Sequence, residues 1–224
     1  MSHDTPKTTK ALYDLLSGTL DVTVMNVGSS EGMSPQCPAD LYPNLYYTGC
    51  WREAMYRFGN YDVLWMIGGD VTAQNSASEY KCAIETAMPF GLWSPVIEGY
   101  CREIMHKHRA GGKVWNVYHL EGIATAISLD MMRQITWDIP PGSKLGWGVD
   151  LWMSWFGWST MQRNILDGRV AFQHPESCGY SRQEALAEMG GFMENAVGVN
   201  WHADARLAPQ FGSFQANLRE MVTI

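Results

Sequence analysis

The sequence predicts a single α/β domain with a mostly parallel central sheet flanked by helices. Strand-like apolar runs alternate with segments of helical period along the chain. One run, Tyr61-Asp62-Val63-Leu64-Trp65-Met66-Ile67, is almost unbroken in hydrophobicity, the pattern of a strand covered on both faces. The chain has 224 residues, 46% of them hydrophobic, enough for one large core, and it shows no linker, repeat or low-complexity tract at which to divide it. Residues 1–224 are therefore read as one domain.

The elements follow from local signals. Thr5 as N-cap, Pro6 at the first helical position, the spaced Leu12, Leu15 and Leu16, and Gly18 beyond them predict a first helix. A strand over Asp21–Met25 follows, ending in the turn Asn26-Val27-Gly28-Ser29-Ser30-Glu31-Gly32, whose backbone amides can approach a ligand closely. After a Pro-rich loop comes a helix from Thr48 to Phe58, then the apolar strand, which stops at Gly68-Gly69-Asp70. Ile97, Cys101, Ile104 and His108 share one face, predicting a helix over Pro95–His108 closed by Gly111-Gly112. Its basic end, His106-Lys107-His108-Arg109, suits a helix C-terminus.

Lys113–His119 reads as another strand, followed by Glu121–Ile127 and a short helix opened by Ser128, before Pro140-Pro141-Gly142 breaks the chain. Gly146-Trp147-Gly148-Val149-Asp150-Leu151-Trp152 leads into a helix. Arg169–Phe172 gives one more strand, ended by His174-Pro175. Ser181 and Glu184 have capping-box spacing before a helix carrying Leu186, Met189 and Met193 on one side. Beyond Gly198 no clear period is visible until a short helix near the end.

Composition bounds the function. A formal charge of −7 argues against broad affinity for nucleic acid, which needs a basic surface, although a local basic groove is compatible with it. Five cysteines, at 37, 50, 82, 101 and 178, form no CxxC pair and read as reduced thiols of an intracellular protein, with no metal cluster implied. No run of about 18 apolar residues and no basic-then-apolar leader is present, so a soluble, cytoplasmic protein is expected. Ten Trp and ten Tyr can serve as core or as flat walls that stack on sugars and bases.

Four segments, in this order, resemble the GT-A glycosyltransferases, family-2-like enzymes that use nucleotide-sugars. The first is Asn26 to Gly32, which lies where that family has Asp-Asn-Gly-Ser-x-Asp-Gly; the second is the strand ending at Gly68-Gly69-Asp70, in place of an Asp-x-Asp metal motif. The third is Gly146 to Leu151, similar to a glycine-rich loop leading to an acid at a helix start, and the fourth is His174 after a short strand. The resemblance spans about residues 8–190 and leaves 198–224 as a C-terminal extension. The family normally has a strand before the first helix, and only Met1–Asp4 precede it here. That strand is either truncated or rebuilt, or replaced by the tail after Gly198.

The resemblance implies a hexosyl- or pentosyltransferase moving a sugar from a nucleotide-diphosphate sugar to an acceptor hydroxyl. Asn26, Gly28, Ser29, Ser30, Glu31, Gly69 and Asp70 would bind the donor nucleotide. A UDP-sugar is favoured, although an amide at Asn26 can either accept or donate and leaves uracil and cytosine both open. Asp70 and His174 would hold Mn2+ or Mg2+, the imidazole suiting Mn2+ better. Asp150 would be the catalytic base, giving inversion at the anomeric carbon. Trp93, Glu121, Gly122, Trp147 and Gly148 would form the sugar and acceptor side, and Pro140–Gly148 a lid.

The implied acceptor is an envelope saccharide or similar glycan. One alternative is a hydroxymethylated base in viral DNA, with His106, Lys107, His108 and Arg109 as a local basic path. Another is a protein that binds a nucleotide or glycan without turnover. Nucleotidyl transfer is disfavoured, since Gly28–Gly32 contains no Lys or Arg.

Overall fold

Val63–Ile67 of the apolar run forms an edge strand of a six-stranded sheet, half-buried apart from buried Met66 and not covered on both faces as expected, in the computed structural model, which describes residues 5–27, 37–42, 45–99, 113–117, 119–135, 145–175 and 181–196. Before it come α1 (Pro6–Leu16), β1 (Met25–Asn26), β2 (Asp40–Leu41) and α2 (Tyr46–Phe58). Then follow β3 (Val63–Ile67), β4 (Thr72–Ala73), α3 (Ala77–Ala87), β5 (Leu92–Glu98), β6 (Val114–Asn116) and β7 (Ala124–Ser128). The described chain closes with α4 (Leu129–Gln134), α5 (Val149–Ser159), β8 (Asn164–Gln173) and α6 (Arg182–Ala196).

The α/β class and the single central sheet with flanking helices are as expected. The sheet order is β3-β7-β5-β8-β4, with β6 also paired to β8. β5 and β8 are parallel neighbours, and β3 runs in their direction because β7 lies antiparallel between β3 and β5. β4 and β6 pair antiparallel with β8, β6 along its first half and β4 at its end. The expected parallel character thus belongs to the β3, β5 and β8 set, and the other three strands make the sheet mixed. β1 and β2 form a separate parallel pair.

Several sequence expectations are corrected. Residues 95–98 belong to strand β5, not to a helix, Gly99 is a turn, and residues 100–108 of the expected helix, with Arg109 after it, lie outside the described residues. β5 is buried along nearly its whole length, so it shows none of the alternation that marks a half-exposed strand. Its Pro95 has no N–H for the ladder and sits where the register with β8 shifts, Pro95 facing Asp167 and Val96 facing Ala171. The strand expected at 21–25 begins only at Met25, and that at 113–119 is confined to Val114–Asn116. Helix α3 was not foreseen, although Ser76 and Glu79 close a full capping box: Ser76 N–H donates to Glu79 Oε2 at 2.8 Å and Glu79 N–H to Ser76 Oγ at 3.4 Å.

Other signals hold. Pro6 opens α1, Ser128 caps α4 by accepting from Met131 N–H, and Ser181 accepts from Glu184 N–H at the start of α6. In α6, Ala185 and Phe192 are buried and Met189 packs on the core, whereas Leu186 is exposed, so the inner face is turned from the one expected.

Aromatic rings fill the core between the sheet and α3. Tyr80 stacks on Phe172 with centroids 4.8 Å apart, and Trp65 meets Trp93 edge-on at 5.5 Å. Asp167, fully buried at the register shift, accepts from Trp93 Nε1 at 3.1 Å and from Arg169 Nε and Nη2 at 2.9 and 2.6 Å. Asp167→Ala would strand a buried indole N–H and unpair Arg169, so a loss of about 3 kcal/mol in urea unfolding is expected. Asp167→Asn, which keeps an acceptor, should cost less.

Candidate active site

β3, β5 and β8 end at one edge of the sheet, the edge at which open α/β sheets bind their ligands. Gly68, just past β3, donates its N–H to Ile123 O at 2.8 Å, joining the end of β3 to the turn that enters β7. Thr9 Oγ1 on α1 donates to Gly69 O at 3.3 Å. Asp70 then meets His174, with 3.2 Å between Oδ2 and Nε2. His174 follows β8, and its own N–H donates to Glu98 O at the end of β5, at 2.8 Å. Two residues separated by 104 positions, singled out from sequence as one pair, are in contact. Burial pushes the Asp70 carboxyl upward, but the hydrogen bond and charge of His174, with backbone contacts, outweigh it and hold the group below the usual aspartate range.

A second cluster is built around the start of α5. Gly148, with φ of 98°, is the N-cap and places Asp150 in the first turn, where Leu151 N–H donates to Asp150 Oδ1 at 2.8 Å. The helix N-terminus favours the ionised carboxylate. The other oxygen, Oδ2, lies 3.4 Å from His119 Nε2, and His119 Nδ1 lies 4.0 Å from Glu121 Oε1. His119 and Glu121 are buried, whereas the Asp150 side chain is 18% exposed and is the member that reaches outward. One donor atom from each of the three falls within 4.8 Å of the others.

Tyr47 of α2 braces this cluster. Its hydroxyl donates to Gly122 O at 2.5 Å. Burial raises its pKa strongly, Asp150 adds to the rise, a contact with Trp51 eases it, and Glu121 adds again, so the phenol remains a donor. Glycine is required on both sides of it: a Cβ at Gly122 would strike the Tyr47 hydroxyl, and one at Gly146, where φ is +82°, would enter its ring. Leu145 and Gly146 N–H groups both face Glu188 Oε1 of α6, at 2.6 and 3.4 Å.

Of the remaining expected residues, Asn26 ends β1 and is buried, its carbonyl accepting from Tyr42 N–H at 2.9 Å. Gly28, Ser29, Ser30 and Glu31 lie outside the described residues, as does the expected lid up to 144. Glu121 and Gly122 flank Asp150 as above, and Trp147 is half-buried beside Gly148. Trp93 is a correction. It is fully buried with its N–H on Asp167, so it belongs to the core and does not wall an acceptor. Trp152 is likewise core, edge-on to Phe192 at 6.1 Å. His119 was missed, though it closes the segment 113–119 two residues before Glu121; for Tyr47 the sequence offers no signal.

No family model matches the chain, and no curated protein matches it. Among solved structures it is similar to GalNAc-T7, in a crystal structure with UDP, GalNAc and Mn2+. The TM-score is 0.58 at 8% identity, over 88% of this chain and 48% of that one. The chain thus spans about half the length of the GalNAc-T7 chain it matches. A protein from Desulfovibrio desulfuricans G20, provisionally named a nucleotide-diphospho-sugar transferase, aligns over 96% of this chain and 83% of its own at 12% identity, with a TM-score of 0.40, too low to bear on the fold. At 8% identity the first likeness speaks to architecture: the chain has the GT-A fold of nucleotide-sugar glycosyltransferases. Among the described residues, no helix is long and apolar enough to cross a membrane.

Proposed function

We propose that the protein is a glycosyltransferase that moves a sugar from a nucleotide-diphosphate sugar to an acceptor hydroxyl. The observation that carries this reading is the convergence of Asp70 and His174 after β3 and β8, with Gly68 bonded to Ile123, next to the turn that flanks Asp150. A donor-binding end and a proton acceptor therefore stand at one edge of a GT-A sheet. Asp70 and His174 offer a hard oxygen and an imidazole nitrogen 3.2 Å apart, a donor set that fits Mn2+ and, less well, Mg2+. A divalent ion held there would offset the charge developing on the leaving nucleoside diphosphate.

Asp150 is the base. As the acceptor oxygen bonds to the anomeric carbon, its proton passes to the Asp150 carboxylate, and the bond from that carbon to the diphosphate oxygen breaks with its electron pair on the leaving group. Attack from the face opposite the diphosphate inverts the centre. UDP is the favoured nucleotide: Asn26 ends β1, where the base would lie, and the structurally similar GalNAc-T7 was crystallised with UDP. The acceptor we favour is a glycan.

Thermal stability against a panel of nucleoside diphosphates and nucleotide-sugars, with Mn2+, Mg2+ or chelator, tests the reading. A ligand of the native state raises Tm by mass action. The expected result is a metal-dependent rise with uridine ligands; no rise with any of them overturns it.

A further inference from the structure

We propose that His119 is a positioning residue that holds Asp150 in its working orientation, backed by Glu121; the proposal rests on the reading of Asp150 as the base. A carboxylate that must take a proton from an incoming hydroxyl has to be fixed in direction, because an error of about 1 Å costs about 100-fold in rate. The first turn of α5 holds one oxygen of Asp150, through Leu151 N–H on Oδ1. Both oxygens turn together about the side chain's last bond, and a second contact, on Oδ2, stiffens the direction that the first sets. His119 Nε2 lies 3.4 Å from Oδ2 and supplies such a contact.

The surroundings favour this role. The His119 side chain is 5% exposed and Glu121 6%, so both are held by packing, and only Asp150 reaches the outside. Leu120, between them, donates its N–H to Ser154 Oγ of α5 at 3.1 Å, so the segment carrying His119 and Glu121 is tied to the helix that carries Asp150. On the other side Tyr47 hydrogen-bonds Gly122 O. Among the described residues, the imidazole thus faces Asp150 from α5 and Glu121 from its own segment, and the Tyr47 phenol of α2 acts on both carboxylates. An imidazole between two carboxylates, one buried and one facing out, is the arrangement in which a base is oriented by a second group and that group by a third. In this role His119 takes no proton from the acceptor, whose proton passes to Asp150.

The test has two arms. In the first, the His119 ring of the full 15N-labelled chain is followed by NMR against pH, assigned through bonds to its own backbone. With the isosteric variants Asp150→Asn and Glu121→Gln, its titration midpoint is expected to fall by about 1 pH unit for Asp150→Asn, and by less for Glu121→Gln at its longer distance. An unchanged midpoint in Asp150→Asn overturns the proposal. So does loss of the ring signals on adding one equivalent of Mn2+ to Asp70→Ala protein, which would make the three residues a cation site.

In the second arm, UDP release from UDP-sugars is measured. His119→Ala is expected to lower kcat about 100-fold with KM for the donor unchanged, and His119→Gln, which restores a side-chain N–H, to recover part of it. Equal rates in wild type and His119→Ala overturn the proposal. Absence of UDP release and of any nucleotide-induced rise in Tm in the wild type counts against glycosyl transfer, while the NMR arm still decides whether His119 is coupled to Asp150.

Discussion

Asp150→Asn is expected to leave donor affinity near wild type and to lower sugar transfer by about 100- to 10,000-fold, the range a positioned general base contributes. The substitution is close to isosteric. An amide oxygen can still accept from Leu151 N–H, as Oδ1 does at 2.8 Å, so α5 should keep its start. What is lost is a basic oxygen at the exposed end of the cluster. Donor titration followed by single-turnover transfer separates the two effects, because a fall in the chemical step with unchanged donor binding marks an interaction made in the transition state. Unchanged turnover would remove Asp150 as the base; a fall in donor affinity of the same size as the fall in turnover would move it to the donor side.

Asp70→Ala is expected to abolish the metal-dependent part of donor binding. At a ligand concentration 100 times Kd, native-state binding adds about 2.7 kcal/mol of stability. With UDP and Mn2+ that increment should be visible in the wild type, and in Asp70→Ala it should shrink to what chelator leaves. The basal Tm should change far less: Asp70 is 40% exposed and its His174 contact lies at the sheet edge, so removing it leaves the core intact. Equal affinity with and without chelator in the wild type would defeat the metal assignment whatever the variant does.

The parts of this site visible in the sequence were those held by local chemistry. An apolar strand followed by Gly68-Gly69-Asp70, an acid after a glycine-rich turn, and a histidine after the last strand each carry a short-range signature, and the structure brings Asp70 and His174 together. Residues recruited by tertiary packing were not visible. His119 acquires a role only because the turn before β7 folds against α5, and Tyr47 only because Gly122 and Gly146 leave room for its ring. The same limit explains the error at 95–98. The spacing of Ile97, Cys101, Ile104 and His108 matches a helical period, but Leu92–Glu98 is buried at nearly every position, on both faces, and that erases the alternation by which a strand is recognised. α3 is a different case. Its capping box was plain at Ser76 and Glu79, and a helix there follows from local chemistry alone.

The fit of Tyr47 between two glycines also sets an order on how this protein can vary. A side chain at 122 or 146 meets the tyrosine before it meets anything else, so neither position can accept even alanine while the ring is in place. Shrinking residue 47 must come first, and that step gives up the bond to Gly122 O. The three positions should therefore drift as a group, and the penalties of changing them singly should not sum to the penalty of changing them together. A lineage that has lost the aromatic ring at 47 would be free to rebuild the entry to α5, while one that keeps the ring is committed to glycine at both.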